Sequence, residues 1–373
     1  MVRSMAHRAA AERIPLNGSI AMTHRCHLRC VHCYLGPERY APPDGGERDT
    51  AFWLSVVDQI ASAGCLTLLI TGGEPLLRPD FAEVYARAKQ RGLLVTVFTN
   101  ATLVNREVLD LFDELPPQLV DVTLYGASAE VYDRVTGAPG AYARCLSGVD
   151  SLLERGIRVG LKAMILTDNQ HEIPAMRQMA KDRGATFRVD PALFPRRDGS
   201  VDPLDHRVPP ETAVTIEMEE EGLRERTATS YQKLRELAPA DRLFGCGAGS
   251  TGFHVDPRGV LLPCLMVSTH GFDLRRGSFR QGWDEILPAF VEQAVPSGYE
   301  CHECERRFLC GLCPAQFEME TGSLHVSSEY SCRLGTVRHE AVCDLRVLPP
   351  ASIDEQPARP VTCRGGAEDE GSL

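Results

Sequence analysis

Residues 19–34 read SIAMTHRCHLRCVHCY. A short β-type run, Ser19–Thr23, leads straight into Cys26-x-x-x-Cys30-x-x-Cys33, so a predicted strand hands over to a loop carrying three thiols. Three thiolates this close can wrap one metal centre, and a loop leaving a strand has the backbone freedom to do so. Three ligands leave one iron of a 4Fe–4S cluster without a protein ligand. An open position is what a catalytic centre needs, by the logic that separates catalytic from structural zinc. The alternative is a zinc site completed by His24, His27 or His32, and Tyr34 is compatible with either.

Outward from this stretch, short apolar runs alternate with amphipathic segments as far as Asp190. Strands are predicted at Ser19–Thr23, Leu66–Thr71, Leu93–Thr99, Val120–Tyr125, Ile157–Leu166 and Ala185–Val189. Helices are predicted at Thr50–Ala63, Arg78–Arg91, Asn105–Glu114, Ala141–Arg155 and Asn169–Arg183, several stopped by glycine (Gly64, Gly92, Gly156, Gly184). Units of roughly 30 residues imply βα repeats and a parallel sheet. Six strands point to an α/β partial (β/α)6 TIM-like barrel over 14–195, not the closed eightfold form. A charged helical connector is expected over 196–240, a Cys-rich domain built around metal over 241–345, and a disordered tail over 346–373.

The chain has 373 residues, ordinary globular composition (43% hydrophobic, 24% charged), and 40 basic against 51 acidic side chains, for a net charge of −11. The absence of a basic block argues against nucleic acid as a partner. No apolar run reaches the ~20 residues of a membrane span, and no secretory signal is evident. A cytoplasmic, reducing setting is therefore expected, where clustered cysteines bind metal or do chemistry more often than they pair.

The segment Cys26 to Tyr34, with the βα pattern after it, resembles the radical S-adenosylmethionine (SAM) superfamily. Gly72-Gly73-Glu74-Pro75, at the end of the second strand, is similar to that superfamily's Gly-Gly-Glu-Pro motif. Two glycines let backbone approach a ligand, and Glu74 can bind an ammonium group; taken alone, the motif reads as a strand-to-helix turn. The resemblance implies SAM contacts at Gly72, Gly73, Glu74, Asn100 (after Thr99), Thr123 and Arg134, the last an Arg that binds the methionine carboxylate in some relatives. For Asn100 and Thr123 a strand-end hydrogen bond is the competing reading. Tyr125-Gly126 replaces the more familiar Asp-Gly. The implied chemistry is chelation of the open iron by the SAM amine and carboxylate, reductive C–S cleavage, and hydrogen abstraction by a 5′-deoxyadenosyl radical.

Seven further cysteines run from Cys246 through Cys264, Cys301, Cys304, Cys310 and Cys313 to Cys332. Their pattern resembles the C-terminal SPASM domain, which holds auxiliary iron–sulfur clusters. One spacing departs: Gly311-Leu312 puts two residues before Cys313 where the family has three. Without that resemblance, Cys301/Cys304 with Cys310/Cys313 fits a zinc-ribbon site equally. The resemblance implies one cluster, expected as 4Fe–4S, on Cys301, Cys304, Cys310 and Cys332, and another on Cys246, Cys264 and Cys313. The second is left open to a substrate thiolate unless Cys343, Asp241 or His254 completes it. Leu265 stands where sulfatase-maturating relatives have a catalytic Asp, so no general base is named and the catalytic residues stay unknown. Cys65 and Cys145 read as core residues, and Cys363 as incidental.

The resemblance implies a radical SAM/SPASM oxidoreductase and maturase acting on a ribosomally synthesised peptide, installing thioether or carbon–carbon cross-links. Its partners would be a precursor peptide, an external flavodoxin- or ferredoxin-type electron donor and, since only 25 residues precede Cys26, a separate leader-binding protein or none. The runner-up is radical oxidation of a small molecule, such as a sugar alcohol, or a porphyrin- or quinone-type intermediate. A zinc-binding protein without catalysis is the alternative of another class.

Overall fold

The computed structural model describes residues 8–40, 46–237 and 241–343. They form two compact units, one holding the described residues to Val208 with Asp241–Ser297 and Cys313–Val326, the other 209–237, 298–312 and 327–343. The tail expected to be disordered, with Cys363, lies outside the described residues. Among the described residues no helix is long and apolar enough to cross a membrane.

In the first unit β1 (Asn17–Ala21), β2 (Thr67–Thr71), β3 (Leu94–Thr99), β4 (Leu119–Thr123), β5 (Val159–Met164) and β6 (Thr186–Asp190) pair in parallel, each with the next. The connections carry α1 (Thr50–Ser62), α2 (Phe81–Gln90), α3 (Arg106–Glu114), α4 (Ala129–Thr136), α5 (Ala141–Glu154) and α6 (Ile173–Asp182). This is the partial βα barrel that the periodicity predicts. Gly64, Gly92, Gly156 and Gly184 have positive φ, as their place at helix ends requires. β1 stops at Ala21 and not at Thr23, because the Thr23 hydroxyl turns to Glu47 and to the Arg25 N–H, opening the loop. Helix α4 carries no periodicity signal long enough to predict it; Ser128 caps it by accepting the Val131 N–H, and Gly137 ends it in the left-handed region.

Strand alternation sorts the side chains onto two faces. Leu68, Ile70, Val95, Val97, Val120, Val122 and Leu161 are at most 1% exposed and make the core, together with Trp53, Ile60, Val84 and Tyr85 of the covering helices. Burying each such side chain contributes about 1.5–3 kcal/mol. The opposite, inner face is largely polar, with Ser19, Thr96, Asp121, Thr123, Lys162 and Arg188 alternating with that core.

Three strands too short to show a period extend the sheet past β1. β7 (Gly252–Val255) runs parallel to β1, and β8 (Val260–Leu262) and β9 (Phe272–Asp273) follow antiparallel. The order is β6-β5-β4-β3-β2-β1-β7-β8-β9.

The second unit is helical. Helices Pro210–Met218, Leu223–Arg235 and Glu329–Cys343 enclose a small core of Ala228, Tyr231, Leu309 and Val342. Arg338 pairs with Glu217 at 2.8 Å and Arg333 with Glu211 at 2.6 Å. With so small a core, such a unit is expected to need cross-links or metal for its stability.

Candidate active site

The cysteine loop follows β1 and is held from three sides. From β2, Gly73 N–H donates to the Thr23 carbonyl at 2.8 Å and Glu74 N–H to the Arg25 carbonyl at 2.9 Å. A Cβ on Gly72 would stand 2.2 Å from the Thr23 oxygen, and one on Gly73 2.3 Å from that of His24. The two glycines therefore make room for the backbone of the cysteine loop. A ligand is what the sequence analysis placed there; the immediate neighbour is the chain itself.

Glu74 is fully buried and accepts from Leu76 N–H (3.0 Å), Asn100 N–H (2.8 Å) and the Thr99 hydroxyl (2.8 Å). It thus fastens the end of β3, its carboxylate occupied by donors of this chain. Burial pushes its pKa up to about 7 against those donors. Ionising this buried group therefore costs stability as pH rises from 4.5 through about 7. A glutamine turns an NH₂ toward the same donors, so Glu74→Gln is expected to destabilise by about 1–3 kcal/mol at low pH. Urea unfolding should show the gap to wild type narrowing across that pH window; a constant gap would argue against the assignment.

Asn100 lies next to Ala101, a non-glycine residue in the left-handed region (φ 59°), strain of about 1–2 kcal/mol. Its Nδ2 points to Cys26 Sγ at 3.9 Å and its Oδ1 accepts from Thr102, whose hydroxyl meets His27 Nε2 at 2.6 Å. Gly72, Gly73, Glu74, Asn100 and Cys26 are thereby brought together. The Thr123 hydroxyl bonds buried Tyr125, whose ring stands edge-on to His32 at 4.6 Å. Arg134 lies on the exposed side of α4, beside Glu130 at 3.5 Å and donating to the Asp168 carbonyl at 3.3 Å.

Three arginines close the other sides, and spacing gave no signal for any of them. Buried Arg39 donates to the Cys30 carbonyl at 3.1 Å and lies over Tyr40 at 4.8 Å, and its Nε has no partner among the described residues. Arg196, after β6, donates to the Cys33 carbonyl at 2.8 Å, and Arg197 N–H to the Tyr34 carbonyl at 2.9 Å. Burial pushes the Cys26 thiol up to about 12 and Cys30 well above its ordinary value, with Arg39 opposing both. Thiols held like this become thiolates when a cationic centre supplies the missing charge.

Elsewhere in this unit Cys246, Cys264 and Cys313 line one cavity of about 500 Å³, walled by Leu69, Phe98, Phe253 and Leu265. Burial pushes the Cys264 thiol up to about 11 and the Cys313 thiol above its ordinary value, opposed by the backbone of Met266 and Val267 at the first and of Gln316 and Ala315 at the second; Cys313 is the N-cap of helix Pro314–Thr321. His254 is engaged with Ser19 at 2.8 Å through Nδ1. The remaining set, Cys301, Cys304, Cys310 and Cys332, lies in the second unit and interacts electrostatically as a group. A Cβ on Gly335 would stand 2.6 Å from that of Cys310, so this glycine lets helix Glu329–Cys343 approach. Among the described residues no three His, Cys, Asp or Glu are gathered as a single metal ion requires.

Comparison with known proteins finds relatives in sequence and in fold. Residues 20–180 match the radical SAM superfamily model. The chain is 28% identical to AdoMet-dependent heme synthase of Methanosarcina barkeri, over 81% of this chain and 91% of the relative. It is 25% identical to PqqA peptide cyclase of Granulibacter bethesdensis, over 87% and 89%. Among solved structures, Streptococcus suis SuiB bound to precursor peptide SuiA superposes with a TM-score of 0.69, at 16% identity, over 88% of this chain and 80% of that one. The non-catalytic zinc alternative is set aside. Residues 20–180 form a radical SAM domain, and the enzyme that carries it is related to SPASM-type peptide maturases and to heme synthases.

Proposed function

We propose that this enzyme oxidises a ribosomally made precursor peptide, joining a side-chain sulfur or carbon to a carbon stripped of hydrogen. The observation that carries the reading is the cavity bordered by Cys246, Cys264 and Cys313. Three thiols around about 500 Å³ suit a cluster with one iron open to a substrate thiolate. The similarity to PqqA peptide cyclase along 89% of its length supports a peptide substrate. Incubation with candidate precursor peptides should remove a pair of hydrogen atoms per modification, seen by mass spectrometry; unmodified peptide despite SAM cleavage would count against it.

In this reading Cys26, Cys30 and Cys33 hold the SAM-binding 4Fe–4S cluster. Their half-buried place beside Arg39, whose Nε has no partner among the described residues, fits a compact anionic group. Bound there, the cluster and SAM would supply radical chemistry for hydrogen abstraction from substrate. The chain's part is orientation: Glu74 and Asn100 fix the loop from β2 and β3, Thr123 and Tyr125 line it from β4, and Arg134 is offered to the methionine carboxylate. Cys301, Cys304, Cys310 and Cys332 hold a second auxiliary cluster, which stabilises the small helical unit as structural metals do. Gly335→Ala is expected to lose iron from that unit while 5′-deoxyadenosine formation persists; unchanged iron content would separate Gly335 from cluster binding. An external flavodoxin or ferredoxin, a separate leader-binding protein and a cytoplasmic setting complete the proposal.

A second reading rests on the heme synthase relative, matched over 91% of its length: radical oxidation of a tetrapyrrole side chain. Incubation with an iron porphyrin, followed by mass spectrometry, separates the two.

A further inference from the structure

One charged cluster on the inner face has no part in the scheme above. Of the 40 basic side chains only four are lysines, at 89, 162, 181 and 233. Lys89, Lys181 and Lys233 lie on helices. Lys162 stands on β5, in register with Thr123 on β4 and Arg188 on β6. In a chain that otherwise meets its need for positive charge with arginine, this position takes the compact, titratable amine.

The Lys162 side chain is 19% exposed, with Nζ 3.0 Å from the centre of the Phe98 ring. Two carboxylates approach it. Asp121, at 3.9 Å, is held more closely by the Arg188 guanidinium, and exposed Asp190 accepts the Ala192 N–H at 2.9 Å. The ammonium therefore has an aromatic face beneath it and only a distant share in one carboxylate. Phe98 in turn walls the cavity that Cys246, Cys264 and Cys313 border. An apolar room with thiols at one side adjoins a lysine whose charge is under-compensated.

We propose that Lys162, with Arg188 beside it, is a carboxylate-binding subsite, taking an acid group of a molecule whose apolar body packs on Phe98 beside this cavity. Burial lowers the lysine's pKa to about 7, Asp121 opposing, so an arriving carboxylate would hold it charged. A phenylalanine face and a charge-assisted hydrogen bond together favour an aromatic or aliphatic acid over its neutral isostere. This rests on the functional reading only in taking substrate to reach the cavity that Cys246, Cys264 and Cys313 border. It serves a peptide carboxylate and a tetrapyrrole propionate alike.

The four lysines make a direct test practical. The reconstituted holoenzyme, with SAM, is treated with acetic anhydride near pH 7, and acetylation of each lysine is followed by peptide mass spectrometry. 3-Phenylpropionate is expected to slow acetylation of Lys162 by about tenfold and 3-phenylpropanol not to, with the other three lysines unaffected. Equal effects of the two probes, or none, would overturn the subsite. Protection by SAM alone, without probe, would assign the lysine to the cofactor and overturn it equally. Lys162→Met should lose phenylpropionate binding by saturation-transfer NMR and Lys162→Arg should keep it; binding unchanged in Lys162→Met refutes the assignment. Repeating the protection with mesoporphyrin and with a glutamate-containing peptide, each beside its ester, tells the two carboxylate sources apart. Protection by either acid supports the subsite, and by neither sinks it. A subsite that responds to the porphyrin alone leaves Lys162 in place and counts against the peptide reading.

Discussion

Replacing Cys26, Cys30 and Cys33 together by alanine is expected to reduce 5′-deoxyadenosine formation to background while iron remains bound elsewhere in the chain. The three thiols share one loop, and the seven other candidate ligands lie in other segments, four of them in a separate compact unit. Their loss removes the protein ligands at one centre without touching the others. The loop's backbone is held by hydrogen bonds to Gly73, Glu74, Arg39 and Arg196, none of which involves sulfur, so the fold should survive. Iron and sulfide analysis beside a SAM-cleavage assay checks both halves. A variant devoid of all iron would contradict independent centres.

Gly73→Ala should act as severely by a different route. Its Cβ would stand 2.3 Å from the His24 oxygen and 2.4 Å from that of Arg25, both backbone atoms. Neither can retreat without dragging Cys26 with it. Overpacking of this kind typically costs 1–3 kcal/mol, and here the displaced atoms belong to the cluster loop itself. SAM cleavage is expected to fall to background, with a lowered melting temperature. Gly92→Ala is the control, since its Cβ would meet nothing within 4 Å and only its positive φ of 81° is penalised. Equal activity of the two variants would refute the steric account.

The fold and the local chemistry of the site were legible where they depend on spacing along the chain. Cys26, Cys30 and Cys33 fall on one loop whatever the tertiary structure, and helix-ending glycines announce βα units through a backbone requirement. Gly72 and Gly73 were legible as a close approach, but the thing approached is the neighbouring loop, which only packing reveals. Arg39, Arg196 and Lys162 gave no signal because what makes them relevant is register between distant strands and loops. β7 went unseen because four residues carry too little alternation to read as a strand. What the sequence analysis treated as one Cys-rich domain is divided, with Cys246, Cys264 and Cys313 in the unit of the sheet and Cys301, Cys304, Cys310 and Cys332 in the other.

A strand has two hydrogen-bonding edges and no more. β1 gives one to β2 and the other to β7. A closed barrel requires the first strand to accept the last, and β1 has no valence left for it. Among the described residues the free edges of the sheet are therefore β6 and β9, not β1. The opening lies between those two strands, and whatever enters there would be bounded by the side chains that line them.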